Sequence, residues 1–141
     1  MLSGVNSMTQ QIDRVYRTNR HLNELSALLS GVQTNMTEYL SVKTSDSLES
    51  FYRSEQEFRL MVEELNTRVT QDDFDRMERN IRKMSENYLD IAEQTIEAKR
   101  GRNVEKYRQR YESATALYEN IHDYIESLNT EQFKRNSEEY S

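Results

Sequence analysis

The 141-residue chain contains no proline, no cysteine and no tryptophan, and only three glycines. Without proline, no residue forces a break in a long helix. Without cysteine, disulfides and thiolate metal sites are excluded. Three glycines are too few for a glycine-rich loop that cradles phosphates. No apolar run approaches the length of about 18 residues needed for a membrane span, and the first residues lack the regions of a signal peptide.

Charged residues make up 31% of the chain, and the net charge is −6. A protein that binds duplex nucleic acid needs a basic face, and this balance argues against one. We therefore predict no nucleic-acid partner. The length suits one domain with a modest core.

Apolar residues recur at steps of three and four in the second half of the chain, which is the spacing of one helix face. Two runs follow this pattern without a break. The first comprises Phe74, Met77, Ile81, Met84, Tyr88 and Ile91, continuing through Thr95 to Ala98; the second comprises Val104, Tyr107, Tyr111, Ala114, Tyr118, Ile121, Ile125 and Leu128.

The first half of the chain carries two further stripes. One comprises Val5, Met8, Ile12, Val15, Leu22, Leu25, Leu29, Val32, Met36 and Tyr39, and the other comprises Leu48, Phe51, Phe58, Val62, Leu65 and Val69. Gly31 lies within the first helix, where it favours a kink or a close helix contact. Glu55 occupies a stripe position where an apolar residue is expected.

These stripes predict an all-α domain over residues 1–141, with helices at about 5–42, 47–69, 71–100 and 104–136. The connecting turns are short, so neighbouring helices should be antiparallel. We predict an up-down-up-down four-helix bundle with long first and fourth helices. The outer ends of those two helices then share one end of the bundle, as in a domain set between two transmembrane helices.

Residues with capping preferences mark the predicted helix ends. Asp46 and Glu49 form a pair that resembles a capping box at the start of the second helix. Thr70 is the predicted cap of the third helix, with Asp72 and Asp73 in its first turn. Gly101 is expected to adopt a left-handed conformation at the end of that helix, and Asn103 to cap the fourth.

No constellation of residues indicates catalysis, and we predict no catalytic residue, no metal and no cofactor. Glu119 and His122 match one half of the Glu-x-x-His pattern of di-iron bundles, but the second half is missing around His21. Neither histidine has the neighbours typical of a phosphoacceptor. Both are therefore interpreted as residues on the flanks of helices.

Four cations are predicted to meet at the end of the bundle opposite the chain termini. Two turns lie there, and together they carry Lys43, Lys99, Arg100 and Arg102. With two helix N-termini nearby, these residues form a candidate site for a carboxylate or phosphate. The competing interpretation is that Lys99 and Arg100 only complement a helix C-terminus.

Tyrosine is abundant, with nine residues in the chain. Glu55, Tyr107 and Tyr111 are candidates to line a small polar pocket. The competing interpretation is an ordinary aromatic stripe whose hydroxyls reach the rim of the core.

Two stretches, SLESFYRSEQEFRLMVEELN and IEAKRGRNVEKYRQRYESATALYENIHDYIESLN, resemble the helical extracytoplasmic sensor domain of bacterial two-component sensor histidine kinases. The likeness covers about residues 20–136 and rests on the general residue pattern of these stretches and on the order of the helices. It implies a non-enzymatic fragment of a membrane protein on the extracytoplasmic side of a bacterial membrane, with a kinase downstream. It carries over no ligand-binding residues.

The resemblance implies mechanical signalling by an unknown small ligand or protein partner, and it favours a homodimer along the first and fourth helices. Leu28 is a candidate to face the second copy. Two other functions remain open: a chemoreceptor-like ligand-binding domain with a different output, and a soluble helical adaptor.

Overall fold

Four α-helices make up the described chain: α1 Leu2–Val42, α2 Ser45–Glu64, α3 Asp73–Arg100 and α4 Val104–Tyr140. The computed structural model describes the backbone of residues 2–65 and 73–140 and the side chains of residues 19–65 and 76–130. Within those backbone ranges every regular element is helical.

The four helices form an antiparallel bundle in which each helix packs against its neighbours in sequence. Helix α1 lies between α2 and α4, and α3 lies between the same two helices on the other side. Helix α1 also touches α3 across the centre, whereas the described parts of α2 and α4 do not meet. The predicted up-down-up-down four-helix bundle is confirmed.

Helices of unequal length give the bundle two different ends. Helix α1 has 41 residues and α2 has 20, so they extend about 60 Å and 30 Å. The turns α1–α2 and α3–α4 share one end, called here the distal pole and defined by residues 42–45 and 99–104. The N-terminus of α1 and the C-terminus of α4 both point to the opposite end.

The core is a continuous apolar cluster to which all four helices contribute. At its centre Phe58 of α2 meets Tyr88 of α3 edge to face, with ring centroids 6.3 Å apart. The buried hydrophobic residues of α1, of α2 and of the residue after α2 all belong to the predicted stripes: Leu22, Leu25, Leu29, Val32, Met36, Tyr39, Phe51, Phe58, Val62 and Leu65. Leu48, also predicted for the stripe, is half-buried.

The stripe on α3 is broader than the sequence predicted. Met77, Met84 and Ile91 are only half-buried, while Leu89, Ala92 and Ile96 are buried. The buried face of α3 therefore extends beyond a single row. Val104, predicted as part of the α4 stripe, is 48% exposed at the distal pole.

The cap of α2 differs from the predicted one. Thr44 is the N-cap: its Oγ1 accepts from the Ser47 amide at 3.1 Å, and the Thr44 amide donates to the Ser47 Oγ at 3.0 Å. The predicted Asp46–Glu49 pair is therefore wrong, because the helix begins two residues earlier. Thr70 and Asp72, predicted at the start of α3, lie outside the described residues, as does the side chain of Asp73.

In the described parts of the chain, none of the four helices combines the length and the apolar character required to cross a bilayer.

Candidate functional site

The distal pole is built from two tight turns in which a cation adopts the left-handed conformation. Lys43, directly after α1, has φ 48°, and its amide donates to the Tyr39 carbonyl at 2.8 Å. Arg102, between α3 and α4, has φ 58°. Non-glycine residues seldom adopt this conformation, because the Cβ crowds the backbone.

The α3–α4 turn is a Schellman motif. The Asn103 amide donates to the Ala98 carbonyl at 2.9 Å, and the Arg102 amide donates to the Lys99 carbonyl at 3.1 Å. The left-handed residue is thus Arg102, and no described glycine has positive φ. The prediction for Gly101 is wrong by one position. Asn103 caps α4 as predicted, since its Oδ1 accepts from the Lys106 amide at 3.2 Å.

The four predicted anion-binding residues have different environments. The Lys99 Nζ lies 4.6 Å from the centroid of the Tyr107 ring, a cation–π contact that holds this side chain against α4. Lys43, Arg100 and Arg102 are exposed. The turns therefore present three cations to solvent and hold the fourth against an aromatic ring.

The three residues of the predicted polar pocket lie in separate places. Glu55 is buried where α2 meets α3. The Tyr111 hydroxyl is paired with the Thr37 Oγ1 at 2.9 Å, between α4 and α1. Tyr107 lies beneath Lys99 at the distal pole. Each of these side chains therefore has its own partners, and α2 does not contact α4 in the described chain.

Glu55 belongs to a charged cluster between α2 and α3. The Arg59 Nη2 lies 2.9 Å from the Glu93 Oε1 and 3.8 Å from the Glu55 Oε1. The second oxygen of Glu55 is buried without a hydrogen-bond partner. The pKa of Glu55 is raised to about 7, first by burial and then by the Glu93 carboxylate, while Arg59 acts in the opposite direction.

A row of hydrogen bonds between α1 and α4, here called the polar ladder, was not found by sequence reasoning. Ser30 pairs with the Tyr118 hydroxyl at 2.9 Å, Gln33 donates to Thr115 at 3.0 Å, and Thr37 pairs with Tyr111. Successive partners step by three and then four residues along both helices, in opposite directions. The tyrosine spacing on α4 was a sequence signal, but its partners depend on the register of two distant helices.

Gln33 connects the polar ladder to the centre of the bundle. Its Oε1 accepts from the Tyr88 hydroxyl of α3 at 2.6 Å. Tyr88 is fully buried, and burial raises the pKa of its hydroxyl above the usual range, so that it stays a neutral donor. One side chain thus joins α1, α3 and α4.

The histidines lie on helix flanks. His21 is exposed, and His122 is half-buried on α4 with one oxygen each of Asp123 and Glu126 4.0 Å from its Nδ1. These three residues offer ligand atoms within 4.8 Å of one another. They share one helix and its solvent-facing side, where acidic groups commonly occur without a metal.

Comparison with solved structures finds a similar chain in the XylFII-LytSN complex, with a TM-score of 0.73 and 15% sequence identity over 84% of this chain and 98% of that chain. No family model and no curated protein matches the sequence. The matched chain is the LytS sensor N-terminal domain, from a histidine kinase sensor. At this identity the likeness shows the fold alone, which is the helical bundle described above.

Proposed function

We propose that this chain is the extracytoplasmic signal-input domain of a bacterial membrane sensor histidine kinase. The observation that carries the proposal is the sensor-domain fold over 84% of the chain, with α1 and α4 leaving the bundle at the same end. In this arrangement α1 continues from one membrane span and α4 leads into the next. The fragment itself is not an enzyme; the kinase lies downstream.

The polar ladder supplies the link through which α1 and α4 respond together. A ligand or partner that binds two packings of the bundle differently shifts the population between them. Helix displacements of about 1–2 Å are typical of such transitions. A hundredfold difference in affinity supplies about 2.7 kcal/mol, enough to reverse a modest preference between the two packings.

The signal enters, in this proposal, at the distal pole, through Lys43, Arg100 and Arg102 with Lys99 beside them. The solved neighbour is part of a complex with XylFII, which supports a protein partner for the fold.

We also propose that the chain works as a homodimer along α1 and α4. Leu28, the earlier candidate for the dimer face, is half-buried against the core, which leaves only part of it for a second copy.

The first test is the complete reading frame around this segment. We expect apolar spans of about 20 residues before α1 and after α4, followed by a histidine box and an ATP-binding domain. Spans followed by a different output domain would make the chain a chemoreceptor-like input. A frame that begins near Met1 and ends near Ser141 would contradict the proposal and favour a helical adaptor.

The second test measures output from the full-length protein in membranes. Replacing Gln33 with Leu removes the side chain that joins three helices, and we expect autophosphorylation to lose its dependence on the signal while the kinase stays active. Gln56→Leu on the exposed face of α2 is the matched control. Unchanged signal dependence in the Gln33 variant would contradict the role proposed for the polar ladder.

A further inference from the structure

Two carboxyl groups share one arginine where α2 meets α3. The Arg59 Nη2 lies 2.9 Å from the Glu93 Oε1, which is a hydrogen-bond distance, and 3.8 Å from the Glu55 Oε1. Arg59 and Glu93 are half-buried, whereas Glu55 is only 8% exposed. The most deeply buried of the three charged groups therefore has the longer contact with its counter-ion.

The other carboxyl oxygen of Glu55 is enclosed without a hydrogen-bond partner. A buried carboxylate is stable only when paired charges or hydrogen bonds offset its lost hydration. This oxygen has neither, so the packing favours the neutral acid over the ionised one. Burial and the Glu93 carboxylate accordingly raise the pKa of Glu55 to about 7.

The helices packed around Glu55 bring no other charge inward. In the described chain α2 packs against α1 and α3 but not against α4. Asn35 of α1 donates to the Ser50 carbonyl of α2 at 3.2 Å, and residues 25–37 of α1 contain no titratable side chain. On α2 and α3 the charged residues next along the chain from the two glutamates are exposed: Arg53, Glu57, Asp90 and Glu97.

We propose that Glu55 and Glu93 form a proton-binding site that sets how closely α2 packs against α3. With the proton bound, the neutral acid of Glu55 fits the closed packing described above. Without the proton, two carboxylates face one arginine, and Glu55 regains water when α2 moves away from α3. Protons are then a second input, apart from the distal pole; only the transmission of this input to a kinase rests on the proposed function.

The difference in proton affinity between two packings sets the size of the effect. A ligand shifts an equilibrium only by as much as it binds the two states differently. A Glu55 carboxyl hydrated in a looser packing has the ordinary pKa of 4.5, against about 7 in the closed one. The ratio of affinities is up to about 300-fold. The closed packing is therefore favoured at low pH and loses this advantage as the pH rises towards 7.

The test uses the 141-residue chain, in which the absence of cysteine lets spin labels be attached at chosen positions alone. Gln56→Cys with Gln94→Cys places labels on exposed positions of α2 and α3. We expect their separation, measured by pulsed electron resonance, to increase by about 2 Å from pH 5 to pH 8. Thr34→Cys with Ala116→Cys, on exposed positions of α1 and α4, is the matched control and should keep its separation. An unchanged separation between α2 and α3, or equal changes in both pairs, overturns the proposal.

Variants of the three charged residues, added to the α2 and α3 labels, identify the group that titrates. Glu55→Gln should abolish the pH response and keep the shorter separation at pH 8. Glu93→Gln should move the response to lower pH, because it removes the repulsion and leaves Arg59 to Glu55. Arg59→Gln should move the response to higher pH, because the counter-ion is lost. A response that survives Glu55→Gln, or that moves in the same direction in the other two variants, overturns the proposal.

The two histidines are the remaining side chains expected to titrate near neutral pH. His21→Gln with His122→Gln should leave the response of the α2 and α3 labels unchanged. Loss of the response in this double variant overturns the proposal in favour of a histidine. None of these measurements involves a membrane or a kinase, so their outcome is independent of the reading-frame test of the proposed function.

Discussion

At the scale of single residues, Glu55 has the most consequential environment. It is 8% exposed, lies beside Glu93 and Arg59 where α2 meets α3, and keeps one oxygen without a partner. The α1 residues at the same level, around Ser30, are uncharged. The carboxyl of Glu55 is therefore governed by burial and by these two charged neighbours.

This environment predicts that stability falls as the pH rises. The pKa of Glu55 is about 7 in the folded chain, against 4.5 for the free side chain. Below pH 4.5 the Glu55 carboxyl is protonated in both the folded and the unfolded chain, and its full contribution to the stability of the fold is present. This contribution is lost as the pH rises towards 7. The free energy of unfolding lost through Glu55 over this pH range is at most about 3 kcal/mol.

Glu55→Gln, which mimics the protonated carboxyl, isolates this contribution. Urea unfolding should give equal free energies for the variant and the wild-type chain at pH 4.5, with the variant more stable above pH 7. Glu57→Gln, at an exposed position of the same helix, should show no such divergence. A constant difference between the Glu55 variant and wild type across this range would contradict the assignment.

Gly31 gives a second prediction at this scale. A Cβ added at Gly31 would meet no atom within 4 Å, so the close helix contact that the sequence suggested is absent. Alanine in a helix interior is favoured over glycine by about 1 kcal/mol. Gly31→Ala should therefore raise the free energy of unfolding in urea by about that amount.

Gly101→Ala is the matched comparison for Gly31. There a Cβ would lie 3.4 Å from the Glu97 carbonyl oxygen at the end of α3, so a smaller gain is expected. A loss of stability in the Gly31 variant, measured in the same way, would indicate that another copy or partner packs closely against α1 at this point.

At the scale of helices, the sequence predicted the order of elements and most of the buried stripe. Regular apolar spacing was sufficient for α1 and α2, because each of these helices buries one narrow face. It even identified Glu55 as an inward-facing position. The α3 stripe was incomplete because α3 buries a wider face, on which Leu89, Ala92 and Ile96 lie beside the predicted row.

Helix ends were harder to predict, because several residues compete for the same role. Thr44, Ser45, Asp46 and Ser47 all favour N-caps, and only the backbone geometry selects Thr44. The residue at the end of α3 was predicted as Gly101 on conformational preference alone, while the Schellman bonds select Arg102. The polar ladder could not be predicted, since it depends on the relative register of helices far apart in sequence.

The cap of α2 leads to a prediction at the scale of the helix. Thr44→Ala removes the acceptor for the Ser47 amide and should cost about 1 kcal/mol in the free energy of unfolding. Asp46→Ala loses only its interaction with the helix dipole in the first turn, and should cost about 0.5 kcal/mol or less. A larger loss in the Asp46 variant would favour the cap that the sequence first suggested.

At the scale of the whole molecule, the polar ladder and Tyr88 determine how three helices are held relative to one another. The hydrophobic effect has no preferred direction, whereas hydrogen bonds with matched steps add a directional constraint that favours one register. Sliding α4 by one residue along α1 would separate Ser30, Gln33 and Thr37 from their partners together. The polar ladder thus favours discrete arrangements of α1 and α4 over gradual displacement, which is what the proposed signalling mechanism needs.

This coupling is measurable as a non-additive effect on stability. Tyr88→Phe leaves the half-buried Gln33 Oε1 without its donor, which should cost about 1–3 kcal/mol. Gln33→Met, close in volume, leaves the Tyr88 hydroxyl unpaired, with a similar cost. The double variant removes both partners, so it should be more stable than the sum of the single losses predicts, by at least about 1 kcal/mol.

Tyr118→Phe, at the half-buried end of the polar ladder, combined with Gln33→Met should be closer to additive. A strictly additive Tyr88–Gln33 pair in urea unfolding would mean that the two side chains do not act together, and the polar ladder would then join α1 and α4 without reaching the centre of the bundle.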